Sequence, residues 1–172
     1  MGVLVAGIGN VFFGDDGFGP AVVRRLEEQK MPEDTRIADY GIRGLDLAYE
    51  LTEGWDLAIL LDALPHGASP GAVAVLEPDA DDATHRELVD PHSLTPAAVL
   101  ALTRRLGGPM PKVLVVGCEP ASLEADASLR LSAPVQAAVS TAAGLVMSML
   151  SDSSLGPRVG PLPAVGSGGR WV

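Results

Sequence analysis

The feature that most constrains the fold of this chain is an alternation between short, unbroken apolar runs and longer stretches with helical periodicity. Residues 57–61, Leu-Ala-Ile-Leu-Leu, form the clearest run, which stops at Asp62. Such a run is typical of a strand buried on both faces of a parallel sheet. Residues 3–6 form a second run, which leads into the glycine-containing turn 7–10. Strands that alternate with helices predict an α/β fold: a three-layer α/β/α sandwich around a mostly parallel five-stranded sheet.

The same patterns place the remaining elements. The loop between Asp62 and residue 72 is shorter than the roughly twelve residues that a parallel crossover needs. The strand after it is therefore predicted to be antiparallel and to lie at an edge of the sheet. Asp15 or Asp16 is predicted to cap the first helix, and Thr95 the third. We predict strands at residues 3–6, 35–38, 57–61, 72–76 and 112–117, and helices that include 21–26, 45–51, 96–106 and 132–150.

Length and composition indicate one domain. The chain has 172 residues, which at roughly 150 residues per domain corresponds to a single unit. We assign this domain to residues 1–150 and expect the Ser-, Gly- and Pro-rich tail, residues 151–172, to be disordered. The single cysteine, Cys118, excludes an internal disulfide and, at the end of an apolar run, is interpreted as a buried core residue.

The charge balance limits the expected partners and location. The 12 Lys and Arg residues are outnumbered by 22 Asp and Glu residues, which gives a formal net charge of −10. Nucleic acids and anionic membranes carry the same sign of charge, so we expect neither as a partner. No unbroken apolar stretch reaches the roughly 18 residues that a membrane helix needs, and no targeting segment is recognisable. We therefore expect a cytoplasmic protein.

Acidic residues beside the predicted strand ends are the first candidates for a functional site, because ligands of open α/β sheets bind outside the carboxyl ends of the strands. Asp16 could cap the first helix or bind a ligand. Asp15 could supply the same cap, and one helix needs only one, so one of the two carboxylates needs another role. Asp62 could be a turn residue or a site residue. The sequence alone leaves these alternatives open.

Glycines and histidines give weaker indications. Residues 7–9, Gly-Ile-Gly, suggest a dinucleotide-binding turn, but Phe12 occupies the place of the third glycine of that fingerprint. We therefore interpret both glycines as forming a tight turn and keep a nucleotide-dependent oxidoreductase only as a minor alternative. His92 is flanked by prolines just before a helix, which suits a positioned imidazole. His66 follows Asp62 in a loop and could reach a site, although most loop histidines have no such role.

Residues 7–19, Gly-Ile-Gly-Asn-Val-Phe-Phe-Gly-Asp-Asp-Gly-Phe-Gly, resemble the first motif of the [NiFe]-hydrogenase maturation endopeptidases. These proteases trim a C-terminal extension from the hydrogenase large subunit after nickel has been inserted. The resemblance spans roughly residues 1–150. Four shorter motifs match in the same order, at residues 39–44, 60–63, 91–94 and 116–120.

The resemblance implies a metal-binding set of two carboxylates and one histidine, which here are Asp16, Asp62 and His92. Two carboxylates and one imidazole are an incomplete ligand set for nickel and should hold the free ion weakly. Nickel is therefore expected to arrive with the substrate rather than to be a resident cofactor. The implied partner is the large-subunit precursor, and we expect a monomer that pairs with it transiently.

The resemblance also implies a peptidase, with Asp16 and Asp62 as its catalytic residues. No serine or cysteine resembles an activated nucleophile, so water is the expected attacking group, activated by a carboxylate or aided by a metal that polarises the scissile carbonyl. Asp39, Gly41 and Gly44, beside another strand end, are expected to seat the C-terminal extension of the substrate. The alternative is a non-catalytic, nickel-checking chaperone that holds the precursor without cutting it.

Overall fold

A computed structural model describes residues 1–78, 95–123 and 129–151 of the chain. Its strands are β1 (Val3–Ile8), β2 (Thr35–Gly41), β3 (Leu57–Ala63), β4 (Val73–Leu76) and β5 (Lys112–Cys118). Its helices are α1 (Phe18–Glu27), α2 (Gly44–Glu50), α3 (Pro96–Leu106) and α4 (Ala133–Ser151), with a short 3-10 turn at Gly14–Gly17 before α1.

The five strands form one sheet in the order β2-β1-β3-β5-β4. β1 pairs in parallel with β2 and β3, and β3 pairs in parallel with β5. β4 is antiparallel to β5 and lies at the edge. The predicted α/β/α fold class and the antiparallel edge strand are confirmed. β3 extends two residues further than predicted, so that Asp62 lies inside the strand and forms a register pair with Gly117.

Two apolar layers cover the two faces of the sheet. In β3, Leu57, Ile59 and Leu61 pack against one layer, which includes Val22 of α1 and Val135 of α4. The alternate residues of the same strand, Ala58 and Leu60, pack against the second layer, which includes residues of α2 and α3. This alternation is the period of two expected for a strand buried on both faces.

The helix caps agree with prediction for α3 and not for α1. The Thr95 side chain accepts a hydrogen bond from the Ala98 N–H at 3.2 Å, and Gly107 ends the helix with a positive φ of 75°. The prediction of an Asp cap on α1 is wrong: its N-cap is Gly17, which makes no side-chain cap hydrogen bond. Because the 3-10 turn precedes α1, Asp15 and Asp16 lie before the first helical turn and their carboxylates are directed elsewhere.

α4 is long and apolar enough, by length and composition alone, to cross a membrane. A third of its 18-residue window is buried inside the structure. The core residues Val135, Ala138, Val139, Ala142 and Val146 recur at intervals of three and four positions, which is the spacing of one helix face. This stripe packs in the same apolar layer as α1, as expected for a core helix.

Candidate active site at the carboxyl ends of the strands

The four parallel strands β1, β2, β3 and β5 end at the same edge of the sheet, and each is ended or followed closely by an acidic residue. Asp39 and Asp62 lie within the last three residues of β2 and β3. Asp16 lies in the turn between β1 and α1, and Glu119 follows β5 directly. This edge of the sheet is where ligands of open α/β sheets bind.

Asp16 is held by the loop that contains it. Its Oδ2 accepts a hydrogen bond from the Asn10 N–H at 2.6 Å. Gly9 permits this closure, because its φ is +126° and any Cβ at that position would lie 1.9 Å from the Asp16 carbonyl oxygen. Burial raises the pKa of Asp16 above its ordinary value, and the hydrogen bond from Asn10 opposes that shift.

Asp62 is the more deeply buried of the two, with 4% of its surface exposed. Burial raises its pKa well above the ordinary value, the negative charge of Asp16 raises it further, and the Ala63 N–H acts in the opposite direction. The 3-10 turn that contains Asp16 contacts β3, the strand that contains Asp62, and this places the two residues at the same edge of the sheet. We call Asp16 and Asp62 the site carboxylates.

Asp15, the neighbour of Asp16, has a different environment. It is 3% exposed, and its carboxylate accepts three hydrogen bonds. The Ala121 N–H donates at 2.8 Å, and Ser132 donates from its N–H at 2.6 Å and from its hydroxyl at 2.9 Å. Ser132 directly precedes α4, so Asp15 ties the β1–α1 turn to the start of the last helix and to the segment after β5.

The Glu119 carboxylate likewise accepts hydrogen bonds from backbone groups, in this case from the loop that follows Asp62 in the chain. Its Oε2 accepts hydrogen bonds from the His66 N–H at 2.7 Å and the Ala68 N–H at 3.1 Å. Burial raises the pKa of the Glu119 carboxyl, but these backbone donors outweigh burial and the pKa is lowered overall. The His66 Nδ1 lies 2.9 Å from the Leu64 carbonyl oxygen and 3.3 Å from Glu119 Oε2. We call Asp15 and Glu119 the clamp carboxylates.

The sequence analysis did not predict the structural role of either clamp carboxylate. It considered Asp15 only as a helix cap, and Glu119 only as part of the motif at residues 116–120, without a role of its own. The signal for Asp15 was present, since two adjacent acidic residues before one helix cannot both cap it. For Glu119 the sequence carried no comparable signal, because its donors are backbone groups 51 and 53 residues away.

The predicted substrate-binding residues lie together at the end of β2. One oxygen of Asp39 accepts a hydrogen bond from the Gly41 N–H at 2.8 Å, and the Gly41 carbonyl accepts one from the Gly9 N–H at 3.1 Å. Gly44 is the first residue of α2. The Arg43 guanidinium donates to the carbonyl oxygens of Asp39 and Tyr40 and so fixes this turn. Asp39 is exposed at the same edge as Asp16, and its contact with substrate stays a prediction.

His92, the third predicted metal ligand, lies outside the described residues, as does the predicted tail from residue 152 onward. Within residues 1–78, 95–123 and 129–151, no group of three or more His, Cys, Asp or Glu side chains is arranged to hold a metal ion. The site carboxylates are two oxygen ligands with few hydrogen-bond donors, which suits a divalent cation that brings further ligands with it.

The surroundings of Cys118 and Gly7 also test how these two residues were interpreted from the sequence. Cys118 is fully buried, and burial, Asp15 and Glu119 together raise the pKa of its thiol to about 11, which does not favour a nucleophilic role. Gly7 lies inside β1, where a Cβ would approach the Val23 side chain at 2.7 Å. The turn interpretation is therefore right for Gly9 and wrong for Gly7, which makes room for α1.

Two depressions on the described part of the chain are lined by residues other than the site carboxylates. Their volumes are about 500 and 280 Å³, and they share Arg36 and Trp55. Both residues lie near the amino ends of β2 and β3, opposite the site carboxylates.

Comparison with known proteins gives consistent matches over most of the chain. The profile of the family described as HycI, hydrogenase maturation protease, matches residues 20–149. The hydrogenase expression/formation protein HupM of Azotobacter chroococcum is 32% identical over 155 residues, covering 87% of this chain and 72% of that protein. The coenzyme F420 hydrogenase subunit delta of Methanothermobacter thermautotrophicus is 28% identical, covering 84% of this chain and 92% of that one.

A solved structure supports the same relationship. The hydrogenase maturating endopeptidase HybD of Escherichia coli superposes with a TM-score of 0.72 at 31% sequence identity, covering 87% of this chain and 92% of that one. The family profile includes Asp62 and begins after Asp16, so the glycine-rich first motif lies outside it.

Proposed function

The chain belongs to the hydrogenase maturation protease family, and we propose that it is an endopeptidase that removes the C-terminal extension of a [NiFe]-hydrogenase large-subunit precursor after nickel insertion. In this proposal the nickel of the substrate is the recognition element and is not a resident cofactor. The reaction takes place in the cytoplasm, on a precursor that the protease binds transiently as a monomer.

The observation that carries this proposal is the position of two poorly solvated carboxylates at one edge of the sheet, on a 3-10 turn and a strand that contact each other. Each has a raised pKa, chiefly because it is buried, and they repel each other. A divalent cation placed between them would relieve that repulsion. His92 completes the proposed protein ligand set, and the precursor supplies the remaining nickel ligands. An unloaded precursor would bring no cation, so binding and cleavage would both depend on nickel insertion.

The site carboxylates also supply a base for hydrolysis. In the absence of a bound cation, burial raises the pKa of Asp62, which makes its carboxylate a stronger base than an ordinary Asp. In the proposed step, water attacks the scissile carbonyl carbon and gives one proton to a site carboxylate. That proton then passes to the amide nitrogen as the carbon–nitrogen bond breaks, and the new carboxyl and amino ends leave. The bound nickel supplies Lewis-acid stabilisation of the developing negative charge.

The test compares nickel-loaded and nickel-free precursor incubated with the protein. We expect the loaded precursor to lose a single C-terminal peptide, seen as a drop in intact mass, while the nickel-free precursor keeps its full mass. A loaded precursor of unchanged mass after prolonged incubation would contradict the proposal. Cleavage of both forms at equal rates would contradict nickel recognition while leaving the peptidase assignment in place.

A second candidate is a non-catalytic, nickel-checking binding module. It is favoured by the match to a protein named as a hydrogenase subunit, the delta subunit of coenzyme F420 hydrogenase, over 84% of this chain. This alternative predicts a stable complex with the precursor, without shortening it. The same incubation, analysed by size-exclusion chromatography and by mass, separates the two functions.

A further inference from the structure

Two of the three phenylalanines of the chain are exposed to solvent beside the site carboxylates. Phe12 is 67% exposed and Phe13 is 42% exposed, whereas Phe18 is fully buried in the core. Large aromatic side chains contribute most to stability when buried, so adjacent exposed rings need an explanation. Both lie in the same turn that carries Asp16.

Hydrogen bonds within this turn define the conformation of the backbone that carries the two rings. Asn10 organises it: its side-chain oxygen accepts from the Phe12 N–H at 3.0 Å, and its carbonyl accepts from the Phe13 N–H at 3.1 Å. The Phe13 carbonyl in turn accepts from the Asp16 N–H at 3.1 Å, and the Asp16 carboxylate accepts from Asn10. The backbone that presents the rings is therefore the backbone that positions Asp16.

A neighbouring loop extends the apolar surface. Ile42 is 60% exposed and Leu45 is 53% exposed, just after β2. The hydrogen bond from Gly9 to the Gly41 carbonyl joins the starts of the two loops. We call these four exposed side chains the apolar rim: Phe12, Phe13, Ile42 and Leu45.

We propose that the apolar rim is the docking surface for an apolar, non-acidic polypeptide segment of the hydrogenase precursor, next to the bond that is cut. This proposal rests on the proposed function. Its support is the continuity of the rim with the site: Phe12 and Phe13 lie within four residues of Asp16, and Ile42 follows Gly41.

Charge on the rim selects against an acidic segment. Asp39 lies near the end of β2, three residues before Ile42, and Asp46 follows Leu45 in the first turn of α2. Arg43 is the one cation between them in the sequence, and its guanidinium lies 4.0 Å from the Asp46 carboxylate, so the two acidic residues outnumber it. With a net charge of −10 on the whole chain, an acidic segment would be repelled, whereas an apolar or basic one would not.

Steady-state kinetics on nickel-loaded precursor test the rim. We compare the parent with a Phe12→Ala/Phe13→Ala variant, a Phe12→Leu/Phe13→Leu variant, and Met110→Ala. Met110 is 38% exposed and lies just before β5, at the opposite end of the sheet. We expect the double alanine variant to raise KM about tenfold or more, with kcat within about twofold of the parent. The double leucine variant should recover most of this loss, and Met110→Ala should match the parent.

A double alanine variant with the parental KM would overturn the proposal, as would a loss confined to kcat. The occupant could instead be a second copy of this chain. Sedimentation would then show a parent dimer that the alanine variant dissociates, with KM unchanged, and the proposal would be wrong.

A binding measurement separates this proposal from the proposed function. The dissociation constant of the precursor is measured for Asp62→Asn and for the same variant with both phenylalanines changed to alanine. An increase of about tenfold supports the rim even if the parent does not cleave the precursor. Equal constants overturn the rim even if the parent cleaves normally.

Discussion

The clamp carboxylates and the site carboxylates lie at the same edge of the same sheet, and they differ in how many hydrogen-bond donors they receive from the residues that the structure describes. Asp15 is as deeply buried as Asp62, yet three donors contact it, two of them backbone N–H groups. Burial raises the pKa of Asp62 well above its ordinary value, with one backbone donor opposing the shift. Asp15 and Asp16, adjacent in sequence, fall into opposite classes.

This contrast shows what distinguishes a structural carboxylate from a functional one in this fold. A buried carboxylate surrounded by donors stabilises the folded state and has little remaining capacity to bind anything else. A buried carboxylate with few donors costs stability and keeps its lone pairs available for a cation or a proton. Substitutions in the two classes should therefore differ in their effects on activity and on stability.

The largest expected effect is on activity, from Asp62→Asn. Amide substitution removes both a nickel ligand and a candidate base, so we expect cleavage of loaded precursor to fall by at least about a thousandfold. The fold should become more stable by about 1 kcal/mol at neutral pH, because a poorly solvated charge is removed. The loss of cleavage is measured from the mass of the precursor, and the free energy of unfolding is measured by urea unfolding. If the Asp62→Asn variant kept the parental activity, or clearly lost stability, Asp62 would have the structural role that we assign to the clamp carboxylates.

The next largest effect is on stability, from Asp15→Ala. The change leaves the Ala121 and Ser132 donors without their acceptor, so we expect a loss of about 3 kcal/mol in the free energy of unfolding. Cleavage per folded molecule should stay within a few-fold of the parent. Asp34→Ala is the matched control, since its side chain is 72% exposed. Equal unfolding free energies for these two variants would show that the Asp15 contacts do not stabilise the fold.

A smaller effect on the free energy of unfolding is expected from Glu119→Gln, and this effect should depend on pH. The pKa of Glu119 is lowered in the folded state, so its contribution is present above the ordinary Glu pKa of 4.5 and is lost as the pH falls through the folded pKa. We expect Glu119→Gln to cost about 1 kcal/mol at pH 7 and close to nothing in acid. Urea unfolding across this pH range checks the trend, and a constant difference between parent and variant would contradict it.

The fold was largely predictable because its signals are local. The apolar runs of β1 and β3 fix buried strands, and the short loop before β4 excludes a parallel crossover. The prediction of an Asp cap on α1 was wrong because a 3-10 turn precedes the helix, and no sequence pattern indicated that turn. That turn takes Asp15 and Asp16 away from capping positions, and Gly17 serves as the N-cap.

The site was predictable only in part, because its electrostatics depend on distant contacts. The strand-end rule locates Asp16 and Asp62 at one edge, and the family resemblance assigns them a common role. Which of two adjacent carboxylates is satisfied depends on Ser132, 117 residues from Asp15. The exposure of Phe12 and Phe13 is likewise invisible in a sequence where apolar residues are expected to be buried.

The most direct test of the account applies the same substitution to two neighbours: Asp15→Asn and Asp16→Asn. The rate of cleavage of nickel-loaded precursor is measured per folded molecule, with the folded fraction taken from unfolding curves. We expect Asp16→Asn to lose at least about a hundredfold and Asp15→Asn to stay within a few-fold of the parent. Equal rates for the two variants, or a greater loss at Asp15, would contradict the division between clamp and site carboxylates.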